Sequence, residues 1–85
     1  MAIIKVMELT FGENLRLMRV RAGKTAKEVA ALAVTDDHPN GFHDATICKW
    51  EKTVRSWKSL PFAWIEALAA AIGCPVDDLK KEKAA

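Results

Sequence analysis

Eighty-five residues make one domain, with a modest core that can stand without metal or disulfide support, and leave no room for a second. Fourteen alanines, no tyrosine and few runs of β-branched residues give a strongly helical preference, which points to an all-α bundle. Thirteen Lys and Arg against eleven Asp and Glu leave a net charge of +2, too small to establish a polyanionic partner, so the placement of charge must decide.

Two cysteines, Cys48 and Cys74, stand at no metal-ligand spacing and suit a reduced cytoplasmic protein better than a disulfide scaffold. The opening MAIIKVMEL has too short an apolar run for a signal peptide or a membrane span, so a soluble cytoplasmic protein is expected. Residues 1–9 form an arm in which Ile3, Ile4 and Val6 alternate loosely. A mobile terminus, a short edge strand and a strand paired across a dimer axis all fit that pattern. The helical domain occupies 10–80, and 81–85 form a tail.

Thr10-Phe11-Gly12-Glu13 is a capping box and starts the first helix, with Phe11, Leu15, Met18 and Ala22 on its inner face and Arg16 and Arg21 facing water. Gly23 ends it. Thr25-Ala26-Lys27-Glu28 is a second capping box only two residues later, so a short second helix runs to about Ala33 after a tight corner, burying Val29, Leu32 and Ala33. Ala30 is small enough to let another element come close. Residues 34–42, VTDDHPNGF, are rich in turn formers and make a long loop.

The third helix spans Asp44 to Thr53, capped by His43 or Asp44. Ile47, Trp50 and Val54 lie on one side at the spacing of a buried stripe, while Asp44, Ala45, Thr46, Lys49 and Lys52 lie on the other. Such a divided helix suits a DNA major groove, where base edges offer donors and acceptors and flanking phosphates attract lysine. RSWKS, residues 55–59, is a polar connection in which Trp57 plugs the core edge. Pro61 suits the first turn of a fourth helix with Phe62, Ile65, Leu68, Ala69 and Ile72 as its apolar stripe and Gly73 as its stop. Pro75 opens a last short helix, with Asp77 and Asp78 in its first turn and Lys80, Lys81 and Lys83 toward its end, an order that complements the helix dipole.

Asp36, Asp37, His38, His43 and Asp44 are all metal-capable, but a solvated turn followed by a helix cap explains them without a ligand. No nucleophile or carboxylate pair stands beside a histidine in a pattern that suggests catalysis, and neither metal nor cofactor is expected. Cys48 on the outer helix face reads as a passive thiol.

Three stretches, TFGENLRLMRVRAGKTAKEVAALA, ATICKWE and LAAAIGCPVDDL, occur in an order that resembles the helix-turn-helix domain of the phage repressor and Cro-type (XRE-like) regulator family. The resemblance covers residues 10–80 and implies a five-helix repressor-like bundle with an extended loop between the second and third helices. It also implies that the third helix enters the major groove while the start of the second points amides at a phosphate. Carried over by position, Asp44, Ala45 and Lys49 face bases, Lys49 as a candidate guanine reader, and Thr46 reaches a base or the backbone. Thr25 and Ala26 sit at the phosphate-clasping corner, and Lys27, Lys52, Arg55 and Lys58 supply cations for phosphates. Arg19 and Glu51 fall where many family members pair the first helix to the third.

The sequence departs from the family in four places. About seven extra residues separate the second and third helices, Ala26 replaces a frequent glutamine, and Asp44 puts a negative charge where glutamine or arginine is common. The connection before the fourth helix is about three residues longer, with Trp57 near a usual proline. The expected function is a sequence-specific regulator of double-stranded DNA, a repressor, acting as a homodimer on an inverted repeat. The alternative is a protein-interaction module of the same fold, an antitoxin or anti-repressor, to which Asp44 and Ala26 lend support. The apolar, peripheral candidates for a dimer contact are the arm and the end of the chain around Val76 and Leu79.

Overall fold

In a computed structural model, residues 9–80 are described, and every regular element among them is helical. The elements are α1 (Phe11–Arg21), α2 (Ala26–Leu32), α3 (Asp44–Thr53), a single 3₁₀ turn (Trp57–Ser59), α4 (Phe62–Ile72) and α5 (Val76–Leu79). The arm residues Ile3, Ile4 and Val6 and the tail with Lys81 and Lys83 lie outside the described residues.

Both capping boxes form. The Glu13 N–H donates to the Thr10 hydroxyl at 3.1 Å while the Thr10 N–H donates to the Glu13 carboxylate at 2.9 Å. The Thr25 and Glu28 pair repeats this at 3.1 and 3.0 Å. Each box satisfies two backbone donors that the helix itself leaves unpaired, and the second lets α2 start so soon after α1 ends. At α3 the Ala45 N–H reaches both candidates, Asp44 Oδ1 at 2.9 Å and His43 Nδ1 at 3.4 Å, with His43 in the extended conformation of a cap. Pro61 is itself the cap of α4 and the helix begins at Phe62, one residue later than the sequence pattern suggests. Gly73 adopts φ +89° and ends α4, a conformation that costs little without a Cβ.

The core gathers Phe11 and Leu15 from α1, Val29 from α2, Ile47 from α3, Ile65 and Leu68 from α4 and Leu79 from α5, all essentially inaccessible. α3 packs on both α1 and α2, α4 on α2, and α5 on α4 and α1. Four side chains depart from their expected burial. Leu32, expected on the buried side of α2, is 55% exposed, because Val29, Ala30 and Ala33 already fill that face. Phe62 is 46% exposed and stacks edge-on against Trp57 at the end of the bundle rather than entering the core. Ala22 is exposed at the C-cap of α1. Leu79, offered as a dimer contact, is buried in its own core and cannot present a face to a second chain.

The 34–42 loop is a packed element. Thr35 and His38 exchange backbone hydrogen bonds at 3.2 and 3.1 Å, and the Phe42 N–H donates to the Ala30 carbonyl at 2.8 Å. Gly41 makes this approach possible: with φ +81°, it lies so close that a Cβ would meet the Ala30 and Ala31 carbonyls. The loop thereby plants Phe42 5.0 Å from Trp50 and 5.2 Å from Trp64, whose own rings stack at 5.6 Å. His38 joins them, 4.3 Å from Phe42. Aromatic pairs of this kind add about 0.5–1.5 kcal/mol each beyond the area they bury. The extra residues between α2 and α3 therefore extend the core.

Candidate functional site

α3 is gripped along one side. Ile47 is fully buried, Trp50 and Glu51 nearly so, and Val54 is half-buried just beyond the helix end. The opposite side leaves Asp44, Ala45, Cys48, Lys49 and Lys52 exposed, with Thr46 half-buried at its edge. The base-facing set proposed from sequence thus occupies one continuous, accessible polar strip. Thr53 closes it, its hydroxyl donating to the Lys49 carbonyl at 2.7 Å.

Arg19 fixes this helix to the rest of the domain. Its guanidinium donates to the two Glu51 carboxylate oxygens at 2.7 and 3.1 Å, with the side chains 14% and 5% exposed. The hydrogen bond to Glu51 raises the Arg19 pKa further above its ordinary value. The third nitrogen of the same fork donates to the Lys24 carbonyl at 2.9 Å, in the corner that precedes α2. Lys24 in turn donates from Nζ to the Ala71 carbonyl at 2.8 Å, placing a cation at the C-terminal end of α4 where the helix dipole favours it. One corner residue is thus tied to α1 and α4, and through Arg19 to α3. Sequence reasoning found the Arg19 to Glu51 pair through the family resemblance but took Lys24 only as one of the cations flanking the second and third helices, and no local pattern points to its bond with Ala71.

The remaining phosphate candidates do not form one patch by direct contact. Lys52 belongs to the α3 strip, and Arg55 follows it, exposed, with its carbonyl accepting from the Phe11 N–H at 3.0 Å. Lys58 sits on the 3₁₀ turn, its Nζ 5.9 Å from the Trp57 ring centre. Thr25 and Lys27 are exposed and Ala26 half-buried at the start of α2. There the Thr25 hydroxyl already accepts from Glu28, and the Glu28 carboxyl, held below its ordinary range by the Thr25 N–H and hydroxyl, brings a negative charge to the same corner.

No family model, curated protein or solved structure matches the chain.

His38, grouped in sequence with other metal-capable side chains, is turned into the aromatic cluster, where its ring also meets Trp64 edge-on at 5.1 Å and its buried Nδ1 has no hydrogen-bond partner. Among the described residues no three His, Cys, Asp or Glu side chains converge as a metal site would require. No described helix is long and apolar enough to cross a membrane. One further feature borders the α3 strip: a groove of about 800 Å³ between α1 and α3, whose lining includes Leu17, Val20, Cys48 and Lys52.

Proposed function

We propose that this chain is a cytoplasmic DNA-binding regulator of the phage repressor and Cro type, folded as a helix-turn-helix bundle and reading double-stranded DNA with α3. The observation that carries the reading is the division of α3. Its inner side is fixed by Ile47, Trp50 and the Glu51 to Arg19 pair, and its outer side offers Lys49, Thr46, Ala45 and Asp44 together with Lys52. A recognition helix needs both properties, since base contacts discriminate only when the helix that makes them is held in register. Lys49 donates to guanine and Asp44 accepts from a cytosine amino group, contacts worth about 1–3 kcal/mol of discrimination each. Lys27, Lys52, Arg55 and Lys58, with the Thr25 and Ala26 corner, provide the sequence-independent attraction to phosphate. A homodimer on an inverted repeat places two α3 helices about one turn of DNA apart, and the regulator acts as a repressor.

Selection of fragmented genomic DNA by the purified protein at physiological salt, beside a Lys49→Ala and Thr46→Ala double variant, tests this. Enrichment of a short inverted repeat that the variant binds less well or re-specifies supports the reading, and enrichment of nothing rejects it. A steep loss of affinity between low and physiological salt accompanies true phosphate neutralisation.

A second reading, a protein-interaction module of the same fold, draws on the exposed Asp44 carboxylate at the head of α3 and on the partly apolar groove beside it.

A further inference from the structure

Four residues of α1, Glu13, Arg16, Leu17 and Val20, fall at i, i+3, i+4 and i+7, so they form one face of that helix. This face is not the core face. Leu17 is 37% and Val20 57% exposed, and they form one wall of the groove whose other wall is Cys48 and Lys52 of α3. From Glu13 to Val20 the wall runs about 10 Å along the helix axis, the length of two helical turns.

The charges of the groove are not balanced. Its two carboxylates are already engaged, Glu13 by the Thr10 N–H at 2.9 Å and Glu51 by Arg19. Its free cations are Arg16 and Lys52, neither of which has an ion-pair partner among the described residues. The site therefore combines an apolar wall with a net charge of +1, since Glu13 keeps its charge while bonded to a neutral N–H and the cations Arg16, Arg19 and Lys52 outnumber the carboxylates Glu13 and Glu51. There is also no strand edge among the described residues, so an extended peptide gains no ladder of main-chain hydrogen bonds here, whereas a helix satisfies its own backbone.

We propose that the α1 to α3 groove docks one amphipathic helix of a partner protein, apolar along a two-turn stripe and acidic at its flanks. The stripe covers Leu17 and Val20, and the flanking carboxylates meet Arg16 and Lys52. Lys52 also belongs to the outer strip of α3, so the docked helix withdraws a phosphate contact and places negative charge beside the DNA-reading surface. Docking excludes DNA. That last consequence rests on the DNA-binding reading, while the docking itself does not.

The probe is a synthetic 18-residue helix with leucines at the two-turn spacing and glutamates on either side, beside a scrambled peptide of the same composition and a version with lysine for glutamate. Binding to the full chain is followed by fluorescence anisotropy and by the methyl resonances of Leu17 and Val20. The expected result is saturable binding of the acidic helix that shifts those methyls and weakens at least tenfold in Leu17→Asp/Val20→Asp, in Arg16→Glu/Lys52→Glu, and with either control peptide. All four substituted side chains project from the folded surface or its groove, and an unchanged melting temperature shows that each variant is folded. Equal binding of the scrambled peptide overturns the proposal, as do shifts confined to other residues. Self-association that Leu17→Asp abolishes, or contacts from Ile3, Ile4 or Val6 to the Leu17 methyls in the free protein, also overturns it by giving the groove another occupant. Displacement of a selected DNA fragment by the acidic helix then tests the exclusion. If no DNA is selected at all, the regulator reading fails while the docking result stands.

Discussion

Gly12 of α1 lies backbone to backbone against Trp50 of α3, so close that a Cβ at residue 12 would overlap the Trp50 carbonyl and stand 2.6 Å from that of Glu51. The Gly12 N–H donates to the Val54 carbonyl at 2.8 Å, and Phe11 does the same to Arg55 at 3.0 Å. The opening amides of α1 are thus capped by carbonyls just past the end of α3. Gly12→Ala should force the two helices apart and destabilise the domain by about 1–3 kcal/mol, the usual scale of overpacking. Gly23→Ala is the control, because its Cβ meets nothing within 4 Å and only the positive φ of +70° is strained. Urea unfolding of the two variants, with Gly23→Ala the milder, is the check.

Glu51→Ala leaves the Arg19 guanidinium without its carboxylate at a site where the side chains are 14% and 5% exposed. Losing one partner of such a pair typically costs about 3–5 kcal/mol. Lys49→Ala, on the exposed strip of the same helix, should leave stability within about 0.5 kcal/mol of the parent. Equal melting temperatures for the two variants would remove Arg19 and Glu51 from the structural role given to them.

Acid should act through the two capping boxes. The Thr10 N–H and hydroxyl hold the Glu13 carboxyl below its ordinary range, and Thr25 does the same for Glu28. Both folded values are depressed, so the unfolded chain takes up protons first as the pH falls. The stabilisation is complete above the ordinary glutamate value of about 4.3 and is lost as the pH falls through the folded values. Melting temperature should therefore be level from neutrality down to about pH 5 in this respect and fall below it. A Glu13→Gln/Glu28→Gln variant, which keeps the hydrogen-bonding shape, should show a shallower fall.

The two thiols should separate in reactivity. Cys48 is exposed on α3, whereas Cys74 is half-buried, and burial first, then the neighbouring Asp78 charge, pushes its thiol pKa up. Alkylation by iodoacetamide at pH 8, followed by peptide mass spectrometry, should mark Cys48 well before Cys74. Similar rates would mean that the end of α4 opens far more readily than its packing implies.

The parts of this fold that are legible in the sequence are those whose chemistry is local. Thr10 with Glu13 and Thr25 with Glu28 are three residues apart, and the pattern alone specifies both partners. Periodicity and end signals together located the five α-helices, but neither the 3₁₀ turn at Trp57–Ser59 nor every buried edge. Leu32 and Phe62 satisfy the helical spacing, yet each stands at the margin of an apolar face, where only the neighbouring helix decides what is covered. Composition described 34–42 as turn-forming, which it is, but could not show that Phe42 and His38 fold back onto Trp50 and Trp64. The links that set the geometry of the candidate site are longer still. Lys24 reaches Ala71 across 47 residues, and Arg19 reaches Glu51 across 32. The first leaves no trace in the sequence, and the second was visible only through likeness to a family.

The Asn14 carboxamide, 5% exposed, donates to the carbonyls of both Asp78 and Leu79 at 2.9 Å. The first helix thus grips the backbone of the last through one carboxamide, beside the apolar burial of Leu79. A force applied to the two ends of the chain, whether by an optical trap or by a protease threading its substrate from the C-terminus, would load that clasp together with the Lys80 contact to the Trp57 ring at 4.7 Å and the Phe11 and Gly12 amides on Arg55 and Val54. Once these give, α5 peels away and takes Leu79 out of the core. Resistance to mechanical unfolding in this domain is therefore shared between residue 14 and those contacts, rather than residing in the core alone.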